Sequence, residues 1–249
     1  MTSPYLLIDV GNGRLKLALA SDSRLLERRE TSTRDLTAAS FKKVLKGWKY
    51  GRVISCSVVP AAAATLRDFF DGNLTELTHR SPLGIGIRYP APETVGADRL
   101  CDVSALAALY AKKGQPGIVL DFGTAVTFNV LSADHHYIGG VIAPGLRLMT
   151  DYLHERTALL PQVELCEPER VIGQSTVEAI QAGAAVGYRG MVRGILEGLK
   201  KELGGRRKPV VVATGADAEW ITKGMKEVDA ADPDLTLHGL RLLGNLSAP

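Results

Sequence analysis

The sequence predicts an α/β fold made of two similar halves, each opening on the same hairpin and each built on a mixed sheet. Three observations predict it. Tyr5-Leu6-Leu7-Ile8-Asp9-Val10-Gly11-Asn12-Gly13-Arg14-Leu15-Lys16 is an apolar strand, an Asp-x-Gly turn and a second strand that continues to Ala20. Gly117 to Leu131 repeats the plan, with Asp121-Phe122-Gly123-Thr124 at the turn. Between and after the hairpins, strand-like and helix-like runs alternate. Taken alone, either hairpin is an ordinary glycine turn. As a pair they point to duplication around a shared cleft. A glycine there lets backbone approach a phosphate, successive N–H groups cradle the anion, and the carboxylate can hold a metal ion.

The elements follow in order. Arg24 to Thr31 reads as a third, more polar strand, and Thr33 to Trp48 as an amphipathic helix with Leu36, Phe41, Val44, Leu45 and Trp48 on one side. Arg52 to Val59 is a strand. Pro60, tolerated at a first helical position, starts an Ala-rich helix to Phe70, and Leu74 to Thr78 is a short strand. Ser81 to Val95 is irregular. Ala97 to Lys112 is a helix, and the Gly114-Gln115-Pro116 turn marks a boundary between units 1–114 and 115–249.

In the second unit, Tyr137 to Ala143 completes a three-stranded meander after the polar turn Asp134-His135-His136, and Gly145 to Leu159 is helical. A long helix runs from Ser175, with Glu178 in capping-box position. It carries Gly183, Gly187, Gly190, Gly194 and Gly198 on one face. Each costs about 1 kcal/mol against Ala, so close approach of another helix is expected, in the chain or, the favoured reading, across a dimer. Pro209 to Ala213 is a buried strand leading into Thr214-Gly215-Ala216-Asp217, with a helix from Ala218. A strand at Leu235 to His238 and a short helix are expected to finish the chain.

At 249 residues, with 45% apolar and 23% charged, the chain can bury a sizeable core. A net charge of +3 is too small to imply nucleic acid, and no basic stripe is interleaved with aromatics. Lys200-Lys201 to Arg206-Arg207-Lys208 reads as a solvated helix terminus. The cysteines, Cys56, Cys101 and Cys166, form no C-x-x-C, which suggests reduced thiols. No apolar run approaches membrane-spanning length, and the N-terminus leads almost directly into a strand without room for a signal peptide. A cytoplasmic protein without a membrane partner is expected. The histidines suggest no chemistry.

Pro92-Glu93-Thr94-Val95-Gly96-Ala97-Asp98-Arg99 lies between the irregular stretch and a helix start. Asp98 is either an early-helix acid favoured by the dipole or a general base. Arg99 is either its neighbour or a clamp for carboxylate or phosphate. Spacing leaves both open. Asp-x-Gly-Asn near the N-terminus, Pro-x-x-x-Gly-x-Asp-Arg, Asp-x-Gly-Thr-Ala-x-Thr and Gly139-Gly140-Val141-Ile142-Ala143-Pro144-Gly145 occur in this order. Together with Gly173-Gln174-Ser175-Thr176 and the Thr214-Gly215 strand end, they resemble the type III pantothenate kinases over nearly the whole chain.

That resemblance implies duplicated actin-like/sugar-kinase-like (ribonuclease H-like) domains, a homodimer, and ATP-dependent phosphorylation of pantothenate to 4'-phosphopantothenate, which opens coenzyme A biosynthesis. It implies that Asp9, Val10, Gly11, Asn12, Gly13, Arg14, Leu15 and Lys16 form the first ATP loop, with Asp9 near Mg²⁺ and Thr124 a second ATP contact. Asp98 would be the base. Tyr89, Gly96, Ala97, Asp98, Arg99 and Thr176 would line pantothenate, and Asp121 would bind a monovalent cation, K⁺ or NH₄⁺.

Three positions depart from the resemblance. Gly13 stands where a Thr or Ser is usual, Asn129 where an Asp is usual, and Ala216 where a second Gly is usual. Loss of a hydroxyl at Gly13, loss of a charged oxygen ligand at Asn129 and crowding at Ala216 are expected to weaken ATP and cation handling. The alternatives are a catalytically weak homologue acting as a regulatory or accessory binding protein, and another small-molecule kinase of the same superfamily.

Overall fold

The computed structural model describes residues 5–34 and 36–246. The first strands are β1 (Tyr5–Val10), β2 (Arg14–Ala20) and β3 (Leu25–Ser32), followed by α1 (Ala38–Val44), β4 (Val53–Ser57), α2 (Pro60–Phe70) and β5 (Thr75–Glu76). Next come β6 (Gly86–Ile87), a 3₁₀ turn at Pro92–Thr94, and α3 (Ala97–Leu109). The second half holds β7 (Gly117–Phe122), β8 (Ala125–Leu131), β9 (His136–Pro144), α4 (Leu146–Glu155), α5 (Thr176–Ala182) and α6 (Tyr188–Leu203). It ends with β10 (Val210–Thr214), α7 (Ala218–Thr222), β11 (Ala230–Ala231) and α8 (Leu235–Leu246).

The duplication is visible in the sheets. One has the order β3-β2-β1-β4-β5 and the other, read from its far end, β6-β9-β8-β7-β10-β11. In each, an antiparallel meander is extended by two parallel strands, with β1 beside β4 and β7 beside β10. β6 adds one strand from the first half to the edge of the second sheet, parallel to β9.

Strand alternation then decides where each carboxylate points. Asp9 is in register with Lys16 on β2 and Cys56 on β4, so all three share the face of Leu7 and Ile54. Asp121 is in register with Thr127 on β8 and Thr214 on β10, on the face of Val119 and Asn129. Those two faces meet in a single core with α3 and α8, where Leu7, Ile54, Val119, Leu100, Val103, Leu237 and Leu240 pack together. The opposite faces are covered separately. Leu6, Ile8 and Val10 pack on Phe41 and Leu66, and Ile118, Leu120 and Phe122 pack on Tyr188, Val192 and Leu196.

Four expectations are corrected. The segment Leu235 to His238 is helical, not a strand: α8 begins at Leu235, where the Asp232 side chain accepts from the Asp234 N–H at 3.0 Å. Leu235, Leu237, Gly239, Leu240 and Leu243 are all buried, and the opening Leu235-Thr236-Leu237-His238 mimics strand alternation. The helix expected over 33–48 is confined to Ala38–Val44, started by a Thr37–Ser40 capping box. The helix expected to run to Leu159 stops at Glu155. The long helix from Ser175 is interrupted by a π-helical stretch at Gly183–Gly187.

A Cβ built on Gly183, Gly187, Gly190, Gly194 or Gly198 meets nothing within 4 Å. The glycine face is therefore uncovered by the described residues. Gly239 is the opposite case, since a Cβ there would stand 2.9 Å from Cys101 Cα and closer still to its carbonyl. α8 lies directly on α3 at that point. Gly239→Ala is expected to destabilise the protein by about 1–3 kcal/mol or more, read as a lower urea midpoint with an unchanged slope.

Candidate active site

The two hairpin turns face each other. A Cβ built on Gly13 would stand 4.0 Å from Thr124 Oγ1, which places the first turn opposite the second across a cleft. Each turn is held by local hydrogen bonds. The Gly11 N–H donates to Arg14 O at 3.0 Å, Thr33 Oγ1 donates to Gly11 O at 2.8 Å, and the Gly145 N–H donates to Thr124 O at 3.1 Å. Val10 and Leu15 are buried beneath the first turn, leaving Asn12, Gly13 and Arg14 exposed at its tip. Gly215 has φ +93°, and a Cβ on it would lie 2.5 Å from Asp121 Oδ1. Glycine is required there because the end of β10 closes onto the carboxylate. Beside these turns a cavity of about 590 Å³ is lined by Arg14, Lys16, Arg28, Gly215, Ala216 and Asp234, within the size range of small-molecule sites. An Arg28–Asp234 ion pair of 2.8 Å joins the first sheet to the segment before α8.

Four carboxylates converge below the turns. Asp9 is only 8% exposed and its pKa is pushed up to about 6, chiefly by burial, with Lys16 opposing and Asp98 adding to the rise. Burial pushes Asp121 up to about 7, with Asp98 and Asp9 raising it further and Lys16 opposing. Asp98 is raised by burial, against the Arg99 backbone N–H and the Arg99 charge. Asp102, one helical turn beyond Asp98, is fully buried and held well above the carboxylate range by burial and then by Asp121 and Asp98. Its Oδ1 accepts from Thr236 Oγ1 at 2.8 Å, while Oδ2 has no hydrogen-bond partner among the described residues. Concentrated buried acid with Lys16 as its main counter-charge is a place where added cations are stabilised.

Among the described residues, no three His, Cys, Asp or Glu side chains are grouped to hold a metal ion by themselves. Thr214 Oγ1, buried without a hydrogen-bond partner among the described residues and in register with Asp121, adds a neutral oxygen of the kind hard cations take. Cys56 Sγ donates to Asp9 Oδ1 at 3.4 Å. Cys56 and Cys101 are buried and Cys166 is exposed, all three as free thiols.

Asp98 sits in the first turn of α3, and its Oδ1 accepts from the Arg99 N–H at 2.7 Å. Gly96, the residue before the helix, leaves room for this, because a Cβ there would come to 2.5 Å from that same oxygen. Arg99 Nε donates to Asn129 Oδ1 at 2.6 Å, and its guanidinium carbon lies 5.7 Å from the centroid of the Tyr137 ring. Tyr137 leans against Tyr89 at 5.9 Å between centroids, and Tyr89 remains 37% exposed. The Asn129 oxygen thus carries one hydrogen bond from Arg99. Tyr137, expected only as a strand residue, is a member of the site, with a buried hydroxyl that has no hydrogen-bond partner among the described residues. Nothing local in the sequence marks it. Thr176 is exposed at the start of α5, and no hydrogen bond joins it to Asp98, Arg99 or Tyr89 among the described residues.

Two duplicated sheets, opposed Asp-x-Gly turns and a buried acidic cluster between them define the actin-like/sugar-kinase-like class of ATP-handling proteins. MreB 5 of Spiroplasma citri, in a structure bound to AMPPNP, has a similar fold at TM-score 0.52 and 9% identity, covering 99% of this chain and 97% of that one. A Baf-family protein from Campylobacter jejuni aligns at TM-score 0.65 and 16% identity, over 97% of this chain and 98% of the other. The family model for type III pantothenate kinase matches residues 5–198. The type III pantothenate kinase of Akkermansia muciniphila is 49% identical over 244 residues, spanning 98% of this chain and 99% of that protein. The chain belongs to the type III pantothenate kinase family.

Proposed function

We propose that Asp98 is the general base of an ATP-dependent phosphorylation of pantothenate. As a family member, the protein is a kinase that transfers phosphate from ATP to an alcohol and yields 4'-phosphopantothenate for coenzyme A biosynthesis. The observation that carries the base assignment is the placement of Asp98. It is a desolvated carboxylate near Asp9 and Asp121, raised in pKa by burial and anchored through Oδ1, with further lone pairs left to take the hydroxyl proton. Phosphoryl transfer needs little else but positioning and charge neutralisation.

In this reading, residues 9–16 and Thr124 hold ATP from opposite sides of the cleft. Asp9 shares Mg²⁺ with the phosphates and Asp121 binds a monovalent cation, K⁺ or NH₄⁺. When bound, these ions neutralise charge on the phosphates. Tyr89, Gly96, Ala97, Arg99 and Thr176 receive pantothenate, with Arg99 taking its carboxylate. The lobes are residues 1–114 and 115–249. A homodimer would cover the glycine face of α6 and the exposed Leu148 and Tyr152 of α4. No helix among the described residues is long and apolar enough to cross a membrane.

The test is ADP release with ATP, Mg²⁺ and pantothenate, with and without K⁺ or NH₄⁺. Pantothenate-dependent turnover that requires the cation supports the reading. A folded protein that turns over under no cation would instead be the accessory binding homologue, with Gly13 the first residue to restore to Ser.

A further inference from the structure

One face of the first sheet carries three cations to the cavity beside the turns. Cross-strand partners share a face. Lys16 is in register with Asp9 and Glu30, and Arg28 with Ala18, so Arg14, Lys16 and Arg28 all lie on one side of β2 and β3. The three line the cavity of about 590 Å³ together with Gly215 and Ala216 from the second half. They are held differently. Arg14 pairs with Glu30 of its own sheet at 2.8 Å. Lys16 and Arg28 reach out of the sheet to one short segment, where Lys16 Nζ donates to Pro233 O at 3.4 Å and Arg28 Nη2 pairs with Asp234 Oδ2 at 2.8 Å. Asp234 is the fixed partner. Its side chain is 14% exposed, its N–H donates to Asp232 Oδ1 at 3.0 Å, and its carbonyl accepts from the His238 N–H at 2.8 Å. The Arg28 side chain is 57% exposed, and Asp234 is its one ion-pair partner among the described residues. A long side chain tied at a single point can turn to another anion.

We propose that Arg28 is a further nucleotide ligand, which leaves Asp234 for a phosphate of ATP when the cleft fills. The inference rests on the reading that ATP lies between residues 9–16 and Thr124. An exposed ion pair to a single carboxylate holds weakly, whereas a guanidinium meets phosphate oxygens through two parallel charge-assisted hydrogen bonds. The phosphate therefore wins the exchange, and Asp234 is the competitor that it displaces. This exchange has a signature that a structural tie lacks. Were the pair only a fastening between β3 and the segment before α8, removing either partner would break the same contact and shift nucleotide affinity in the same direction. In the exchange the two removals act oppositely, because one deletes the ligand and the other frees it.

The experiment uses the full-length wild type, Arg28→Ala, Asp234→Asn and the double variant. Each is titrated with Mg²⁺ and AMPPNP, a nucleoside triphosphate analogue, and Kd is read from the rise in melting temperature. Arg28→Ala is expected to raise Kd about tenfold or more, the loss of a charge-assisted phosphate contact. Asp234→Asn keeps the shape of the side chain and is expected to lower Kd about twofold to fivefold, the release of an exposed ion pair. The double variant should bind as weakly as Arg28→Ala, since no arginine is left to free. Shifts of the same sign in the two single variants, or an unchanged Kd in Arg28→Ala, overturn the exchange while leaving ATP in the cleft. A gain from Asp234→Asn that persists in the Arg28→Ala background overturns it too, because Asp234 would then act by its own charge. Wild-type protein that gains no thermal stability from Mg²⁺ and AMPPNP overturns the placement of ATP, and this inference with it.

Discussion

Asp98→Asn is expected to lower kcat about 10²–10⁴-fold, the usual contribution of a positioned base, with KM for pantothenate nearly unchanged. The substitution preserves volume and the oxygen that accepts the Arg99 N–H at 2.7 Å, so the start of α3 should hold its shape. What it removes is the proton acceptor. Burial raises the Asp98 pKa, making the carboxylate a stronger base than one in water, and the nearby Arg99 charge keeps that rise in check. Wild-type turnover should therefore rise with pH as Asp98 ionises, and the variant should lose that limb of the profile. The same change removes a charge that raises both Asp9 and Asp121. The variant should thus melt higher than wild type at neutral pH while being nearly inactive. Gain of stability with loss of turnover distinguishes loss of a base from misfolding. Turnover within about tenfold of wild type would remove Asp98 from the role.

The parts of this site that are legible in the sequence are the ones built from consecutive residues. Asp9 and Asp121 each stand at the end of an apolar strand before a glycine turn, so local pattern alone predicts the two hairpins. Gly96 and Asp98 are likewise close in sequence, and Gly96 is small because the Asp98 carboxylate folds back on it. What pattern cannot give is pairing between distant strands. Tyr137 and Asn129 reach Arg99 only because β8 and β9 run beside each other in front of α3, and a period-2 strand reading assigns them a face but no partner. α8 fails for a related reason. It is packed between α3 and β1, and its opening Leu235-Thr236-Leu237-His238 alternates as a strand does, while the polar stripe of His238, Arg241 and Asn245 emerges only over the full helix. Asp102 is silent in sequence too, as its consequence depends on Asp121 approaching from another element.

Asp121 carries the second large effect, and its sign follows from the direction of the shifts. In the unfolded chain an aspartate titrates near 3.8, whereas burial lifts Asp9 to about 6 and Asp121 to about 7 in the folded protein. Between those values the folded state binds protons that the unfolded state has already released. Stability from these groups is therefore complete below about pH 4 and is lost as pH rises through 6 and 7. Exposed acids act oppositely. Asp134, held down to about 2 by Ser132 and Arg88, loses its contribution only in strong acid. The difference between wild type and Asp121→Asn therefore isolates the buried group. The variant should match wild type near pH 4. Near pH 8, without ligands, it should melt about 4–8 °C higher, as roughly 2 kcal/mol of relieved desolvation and repulsion gives in a chain of this size. K⁺ should raise the wild-type melting temperature at pH 8 much more than at pH 5, because the ion replaces the lost protons, and should leave the variant unmoved. Turnover of the variant should fall about 10²–10³-fold, the cost of removing one electrostatic element from a transition-state site. A variant that melts lower than wild type at pH 8, or still responds to K⁺, would show that Asp121 is tethered by contacts unrelated to charge. The cation would then belong to another set of oxygens in the cleft.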